Sequence, residues 1–444
     1  MSNPTTSNPD DPRDQITTDP TDATERMRAG SMTLTAMPWI VGSLFLLIMP
    51  FIFQSNSALT IMNQMAITIV FALAYNMLLG QGGMLSFGHA VYMGVGGFMC
   101  VHVMNMVEDN GLPLPLPLLP IIGGMFGMGL AIIVGSFSTR KAGTVFAMIS
   151  LGVGELIAAS SVIVVAFFGG EEGVSGDRTY GLPVFGYEFI GHIEVYYLTA
   201  GWLVLSALLM YLFSRTPVGR MANAVRDNPE RAEFLGYSAR WVRFYSFVAS
   251  GFFAGIAGGL FAINYEILTE ENLNLTQSGV ILLITFLGGV GFFFGPIIGA
   301  IVFTLLQTVL SLQTDLWQLY VGALFVATVM FFPGGLAGVL MMHVPAFRNG
   351  KAGQLVGPYI KTLIPAALGI LAVAALLELV FHIRHAIVGD EDMTLYWMTF
   401  NSHSPVPWIV AVLVAVVAFW IMRRNMPDLV AAWNRANTVQ RTTP

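Results

Sequence analysis

The chain has 444 residues, of which 55% are hydrophobic and only 10% charged; soluble globular chains carry roughly 25% charged residues. That balance excludes a soluble enzyme, and a net charge of -6 leaves nucleic acid no basic surface to bind. The single cysteine, Cys100, excludes an intramolecular disulfide and a cysteine-only metal site.

The first 36 residues hold six acids and three arginines in a polar text rich in Asp, Pro, Thr and Asn. They read as a disordered acidic cytoplasmic tail and not as a secretory signal. Beyond them, apolar runs approaching the roughly 20 residues of a membrane helix recur. Twelve are expected: 38–54, 58–79, 88–106, 114–137, 143–168, 196–214, 244–265, 278–294, 295–312, 318–340, 358–382 and 407–424. The expected fold is all-α and polytopic. About ten core transmembrane helices fill 37–341, and a two-helix extension follows over 342–444. The run 88–106 is short and opens in glycines. The joint between 278–294 and 295–312, from Gly288 to Ala300, reads as a tight cytoplasmic turn or as a re-entrant hairpin.

Cations set the orientation, because Lys and Arg stay on the cytoplasmic side. With the N-terminus inside, twelve alternating spans leave only Arg178 and Arg384 outside, so 18 of the 20 Lys+Arg lie inside. Both termini are therefore expected in the cytoplasm. The largest outer loop, 169–195, is acidic and turn-rich.

Two stretches carry more information. Asn76 to Phe98 holds Gly80, Gly82, Gly83, Gly88, Gly94, Gly96 and Gly97 among the polar groups Asn76, Gln81, Ser86 and His89. That density fits either a broken helix lining a cavity or close helix packing with the polar groups bonded to carbonyls. The long cytoplasmic loop 215–243 holds two helix starts. Thr216 caps one that begins at Pro217. Asn228 caps a second over 229–235, which Gly236 ends. Ala232 and Leu235 form its apolar stripe. Such a short helix suits docking to another protein, or the loop is solvated and its arginines only enforce orientation.

Ionisable groups within spans are functional candidates. Glu155 lies mid-span and tethers helices or lines a substrate pathway. Glu378 and Glu266, near outer span ends, are explained by snorkelling or by a Glu378–His382 pair. The group His382, His385, Asp390, Glu391 and Asp392 reads as a solvated loop, since nothing fixes a metal geometry.

The text NMLLGQGGMLSFGHAVYMGVGGF resembles the LivM-type permeases of branched-chain amino acid ABC transporters. Asn76, Gly80, Gly83, Leu85, Ser86, Phe87, Gly88, His89 and Ala90 keep that family's spacing. The stretches from Arg215 to Ala262, Leu287 to Ala300 and Phe331 to Leu340 resemble later family segments in the same order. Family members also often carry a Glu in text like that around Glu155. The ATPase-coupling pattern of ABC importers is retained in weak form by Glu230, Ala232 and Gly236, with Arg231 replacing an alanine.

The resemblance implies a permease subunit of an ATP-driven importer in the bacterial inner membrane, working by alternating access and not as an enzyme. Implied partners are two cytoplasmic ATPase subunits, a second related permease and a periplasmic substrate-binding protein. No phosphate-binding loop occurs in the chain, so no cofactor is expected here and ATP belongs to the partners. Arg226, Asp227, Glu230, Ala232 and Gly236 form the expected coupling loop. Asn76, Gly80, Gly83, Ser86, His89 and Glu155 form the expected pathway. Branched-chain amino acids, urea, short amides and other small solutes remain open as cargo. A self-sufficient secondary transporter is the alternative.

Overall fold

The computed structural model describes residues 37–183, 186, 188–385, 392–396 and 398–437. The acidic tail 1–36 and the carboxylates Asp390 and Glu391 lie outside the described residues. The helices, in chain order, are α1 Met37–Ile52, α2 Asn56–Asn76, α3 Ala90–Asn110, α4 Leu119–Ser138, α5 Thr144–Ile163 and the short α6 Val165–Phe168. Then come α7 His192–Arg215, α8 Pro217–Asp227, α9 Pro229–Phe234 and α10 Ala239–Tyr265. The last group is α11 Leu275–Gly288, α12 Gly295–Val309, α13 Trp317–Phe331, α14 Gly335–Met342, α15 Val344–Arg348, α16 Gly353–His385 and α17 Pro405–Asn437.

The fold is all-α and polytopic. Every one of the twelve expected runs contains a helix, but they are unequal. Among the described residues nine helices are long and apolar enough to cross a membrane, and α13 with the helical stretch Gly335–Arg348 forms a tenth bent by 52°. Met37–Ile52 and Leu275–Gly288 are shorter. The run 88–106 starts two residues late, at Ala90, because the glycine-rich text before it is not helical. The run 143–168 breaks at Val164, where ψ is 64°.

The chain divides into two compact units, Met1–Leu282 and Leu283–Pro444. In the first, α10 is the central helix, with α3 and α4 against it. Backbones rather than side chains meet there. A Cβ on Gly96 would stand 2.7 Å from the Gly123 carbonyl oxygen and 2.7 Å from the Gly255 Cα, so α3, α4 and α10 touch where each offers glycine. Close approach of this kind maximises dispersion contact where no water drives association. At one end Phe98, Met104, Leu116, Leu119, Phe168 and Leu268 close an apolar cluster.

The stretch 169–183 of the loop expected outside is more ordered than its turn-rich text implies. β1 Val174–Ser175 pairs antiparallel with β2 Ile267–Leu268. Arg178, expected in an exposed loop, is buried. Its guanidinium donates to the Ile263 carbonyl at 3.1 Å and lies 3.8 Å from Glu266 Oε2. Those are last-turn groups of α10, where unpaired carbonyls attract a cation.

In the second unit, α11 and α12 meet at a tight glycine joint. Gly289 takes φ +115°, and Gly335 takes φ +65° with its α-carbon packed on Gly289, so neither position has room for a side chain. The hairpin of α16 and α17 is tipped by β3 Asp392–Leu395 paired with β4 Met398–Asn401. Glu378 is buried and accepts from Thr314 Oγ1 at 2.5 Å and Tyr320 Oη at 2.8 Å. Its partners are these hydroxyls, not His382.

Candidate functional site

Helix α2 does not end cleanly. Its last turn widens to a π-helix over Met77–Gln81, and the chain then runs irregularly through Gly82–His89 before α3 begins. Most of that segment is buried, so its backbone groups need partners other than water. Side chains on neighbouring helices supply them. The Phe87 N–H donates to Ser150 Oγ at 3.1 Å, and the Ala90 N–H at the start of α3 donates to Ser278 Oγ at 3.0 Å. Tyr75 Oη donates to the Ser86 carbonyl at 2.8 Å. Gly88 packs directly on the Ser150 carbonyl and Gly154 of α5. Ser150 and Ser278 have no place among the expected site residues; a lone serine in an apolar run was their only signal.

His89 closes the segment and is fully buried. Ser250 Oγ donates its proton to the Ala74 carbonyl at 2.6 Å, so its lone pair receives the His89 Nε2–H at 3.2 Å. That commits Nε2 as the donor, and among the described residues Nδ1 has no hydrogen-bond partner. Phe71 stacks on the ring at 5.7 Å, with Tyr75 and Tyr92 at 5.2 and 5.5 Å. Asn76 and Ser86 of the same stretch are also buried.

The long loop folds largely as its capping text implies. Thr216 Oγ1 accepts from the Gly219 N–H at 3.2 Å, and Asn228 Oδ1 accepts from the Arg231 N–H at 2.9 Å. At the far end of α9 the Tyr237 N–H reaches the Ala232 carbonyl, the Gly236 N–H reaches Glu233, and Gly236 takes φ +86°. This is a Schellman stop. The expected apolar stripe is not formed. Ala232 is buried, but the helix closes one residue early at Phe234, which turns Leu235 outward. Phe234 is 90% exposed and Leu235 66% exposed.

The two informative stretches meet. Arg226, in the last turn of α8, donates from Nη1 to the Gly80 carbonyl in the π-turn. Its Nε donates to Asp227 at 2.9 Å. A Cβ on Gly83 would stand 2.5 Å from the Arg226 Cγ, and Gly83 itself takes φ +64°. The glycine is thus required both for its backbone and for the arginine stem that fills its side-chain space. Glu230 belongs to the exposed face of α9 and is not brought to this contact.

Glu155 is not among the side-chain partners of His89, although its neighbour Gly154 packs on Gly88. It is exposed on α5, and among the described residues it makes no hydrogen bond or ion pair. Exposed Val145, Met148, Leu156 and Ile163 share the helix with it, and Gly152 has open space beside it. Only 28% of the helix's apolar window is buried.

Residues 57–333 match the family of permease components of branched-chain amino acid transport systems. The chain belongs to that family. Its permease relatives include LivM of Escherichia coli, the high-affinity branched-chain amino acid transport system permease protein, 25% identical over 64% of this chain and 71% of LivM. LivM of Salmonella typhimurium is 26% identical over 68% of this chain and 74% of its own length. LsrC of Klebsiella pneumoniae, an autoinducer 2 import system permease protein, is 33% identical over 34% of this chain and 46% of LsrC. No solved structure matches the chain. The protein is thus a permease subunit of an ABC importer, multi-pass in the bacterial inner membrane. A permease of this family is one component of a transport system, which implies ATPase and substrate-binding partners.

Proposed function

We propose that this permease imports branched-chain or related amino acids by alternating access, driven by two cytoplasmic ATPase subunits and completed by a second related permease and a periplasmic binding protein. The contact of Arg226 with Gly80 and Gly83 carries the reading. Arg226 and Asp227 end α8, and α9 with Glu230, Ala232 and Gly236 follows at once. Phe234 and Leu235 present apolar surface from that helix, a mark of a protein-docking patch. A displacement of α9 by an ATPase reaches the α2 break through the end of α8 and the Arg226 side chain, whose stem packs against Gly83. The break in turn holds Asn76, Gly80, Gly83, Ser86 and His89. Irregular backbone at such depth is tolerated where it is buried in protein or lines a cavity, and rocking motions act at such broken helices.

Glu155 supports the second permease. A carboxylate facing lipid at mid-span is costly, on the order of 3 kcal/mol on insertion scales. The bare face of α5 is therefore read as facing another permease or a water-filled pathway. The distribution of cations supports a cytoplasmic location for both termini. The chain has no phosphate loop, so ATP is assigned to the partners.

The test is reconstitution of the complete importer in liposomes, with uptake of leucine, isoleucine and valine measured beside ATP hydrolysis. Arg226→Ala should lower uptake at least tenfold while hydrolysis persists, because the ATPases still dock on α9. Arg226→Lys should recover part of the uptake, keeping a cation without the planar fork. Equal loss of uptake and hydrolysis, or no loss of either, overturns the coupling role. Absence of uptake of all three amino acids overturns the substrate class alone.

A further inference from the structure

Helix α5 carries a carboxylate for which the chain supplies no counter-charge. The other charged groups of α1 to α5, α7 and α10 are Glu108, Asp109, Glu194, Arg215, Arg240 and Arg243, all close to helix ends. Glu155 alone stands mid-helix, within Thr144–Ile163. A bare carboxylate at such a position is costly in hydrocarbon. Among the described residues it makes no ion pair, so whatever compensates it comes from outside the chain.

The helix surface around Glu155 leaves room for a small group. Gly152 and Ala159, three positions before it and four after, share its side of the helix. Both are exposed, and neither has a side chain beyond Cβ; a Cβ added at Gly152 would meet no atom within 4 Å. Small residues in a membrane helix mark close approach by something other than acyl chains. The adjoining face of α5 is fixed to the broken segment. A Cβ on Gly154 would stand 2.8 Å from the Gly88 Cα, and Ser150 Oγ accepts from the Phe87 N–H at 3.1 Å. Glu155 therefore directly follows a residue that touches the segment between α2 and α3, the segment that the coupling reading sets in motion.

We propose that Glu155 receives the ammonium group of the cargo in transit, so that the permease itself, and not only a binding protein, requires a free amino group. This rests on the import reading and narrows its cargo by charge. Urea and short amides are neutral and leave the carboxylate uncompensated. An amino acid brings a cation with three N–H donors, and charge-assisted bonds of that kind are the strong ones. A buried charge deprived of its partner is strongly disfavoured, which makes the ion pair selective. A second copy of this chain would bring a second Glu155 and not a cation. Met148 and Leu156, both exposed on the same helix, offer apolar surface to an aliphatic side chain.

The experiment uses the complete importer in nanodiscs without its binding protein, so that recognition by the permeases alone is read. Bound radiolabelled leucine should be displaced by leucinamide, which keeps the ammonium group, and not by 4-methylpentanoate, which lacks it. Glu155→Gln should weaken leucine binding at least tenfold, with Glu155→Asp between the two. Both variants should melt with the wild type, since the side chain is exposed and unpaired within the chain. Leucine uptake by the same importer in liposomes, with binding protein added, tests the import reading separately. Where the wild type takes up leucine, three results overturn this proposal alone: no leucine bound at millimolar concentration, equal displacement by the two analogues, or unchanged binding in Glu155→Gln. Separation of the two permeases in Glu155→Gln, seen by native mass spectrometry with leucine binding per intact pair unchanged, assigns the cation to the second permease and overturns it as well. Absence of leucine uptake by the wild type overturns the cargo reading and this proposal with it.

Discussion

Helices α10 and α16 are both membrane spans, yet the better-buried one is the less apolar. In α10, 78% of the apolar window is buried and its hydropathy is 1.8; in α16, 22% is buried and its hydropathy is 2.4. In a soluble protein the order would be reversed. Lipid tails are as apolar as leucine, so an exposed membrane helix must be apolar all round, whereas a central one is selected for closeness. Helix α10 accordingly carries Ser250, Gly251, Ala254, Gly255, Gly258 and Gly259 in ten residues. Helix α16 carries Leu363, Ile364, Leu368, Ile370 and Leu371 exposed. Hydropathy thus marks what faces lipid, and small residues mark what faces protein.

The largest expected effect comes from testing that distinction with one substitution in two places. Gly258 packs directly on the Met93 carbonyl and the Gly97 N–H of α3, which no side-chain rotation can relieve. Gly258→Leu should force α3 and α10 apart at a cost of about 3 kcal/mol or more, leaving little monodisperse protein by size-exclusion chromatography. Gly201→Leu, on the exposed side of α7, meets no atom within 4 Å outside its chain neighbours. It should leave the melting temperature unchanged or raised, since leucine is the better helix former. Equal damage from both would show that glycine serves α10 by something other than close approach.

The comparison also explains how much was legible in the sequence. Apolar length located every helical run, and local capping text placed Thr216, Asn228 and Gly236, because those signals act within four residues. Glycine density marked Asn76–Phe98 without separating its causes. Gly83 is needed for its φ and for Arg226, Gly88 for contact with α5, and Gly96 for contact with α4 and α10. The Arg226–Gly80 contact spans 146 positions, and no spacing rule within one chain reaches so far. The outward turn of Leu235 depended on where α9 closed, and boundaries are the least legible feature of a helix. The exposure of Glu155 depended on which face of α5 the rest of the chain leaves bare.

A smaller effect separates Arg178 and Arg384, the two cations expected outside, which the orientation rule treats alike. Arg178 is buried against the end of α10, whereas Arg384 is exposed at the end of α16. Arg178→Gln should cost about 2 kcal/mol, the range for hydrogen bonds to a charged group, seen as a lower denaturation midpoint in detergent. Arg178→Lys should restore only part of it, as one ammonium cannot replace a fork that reaches the Ile263 carbonyl and Glu266 together. Arg384→Gln should fall within about 0.5 kcal/mol of wild type, as surface substitutions do.

The smallest effect is a pH dependence confined to the loop that holds Arg178. Asp177 accepts from Thr179 Oγ1 at 2.7 Å and from the Thr179 N–H at 2.8 Å. Those bonds, hydroxyl first, hold its carboxyl below the usual carboxylate range, with the Arg178 cation adding a minor attraction. A carboxyl depressed in the folded state binds protons more readily when unfolded. Its stabilising contribution is therefore complete above the unfolded value, near pH 4, and is lost as pH falls through the folded one. The short turn Arg178–Tyr180 should lose hydrogen-exchange protection below about pH 4 in the wild type, after correction for intrinsic rates. Asp177→Asn should make that profile flat and leave the protection of α10 untouched. A wild-type turn whose protection is as pH-independent as the variant's would place the order of this loop in Arg178 alone, and the ionised carboxylate would be incidental to it.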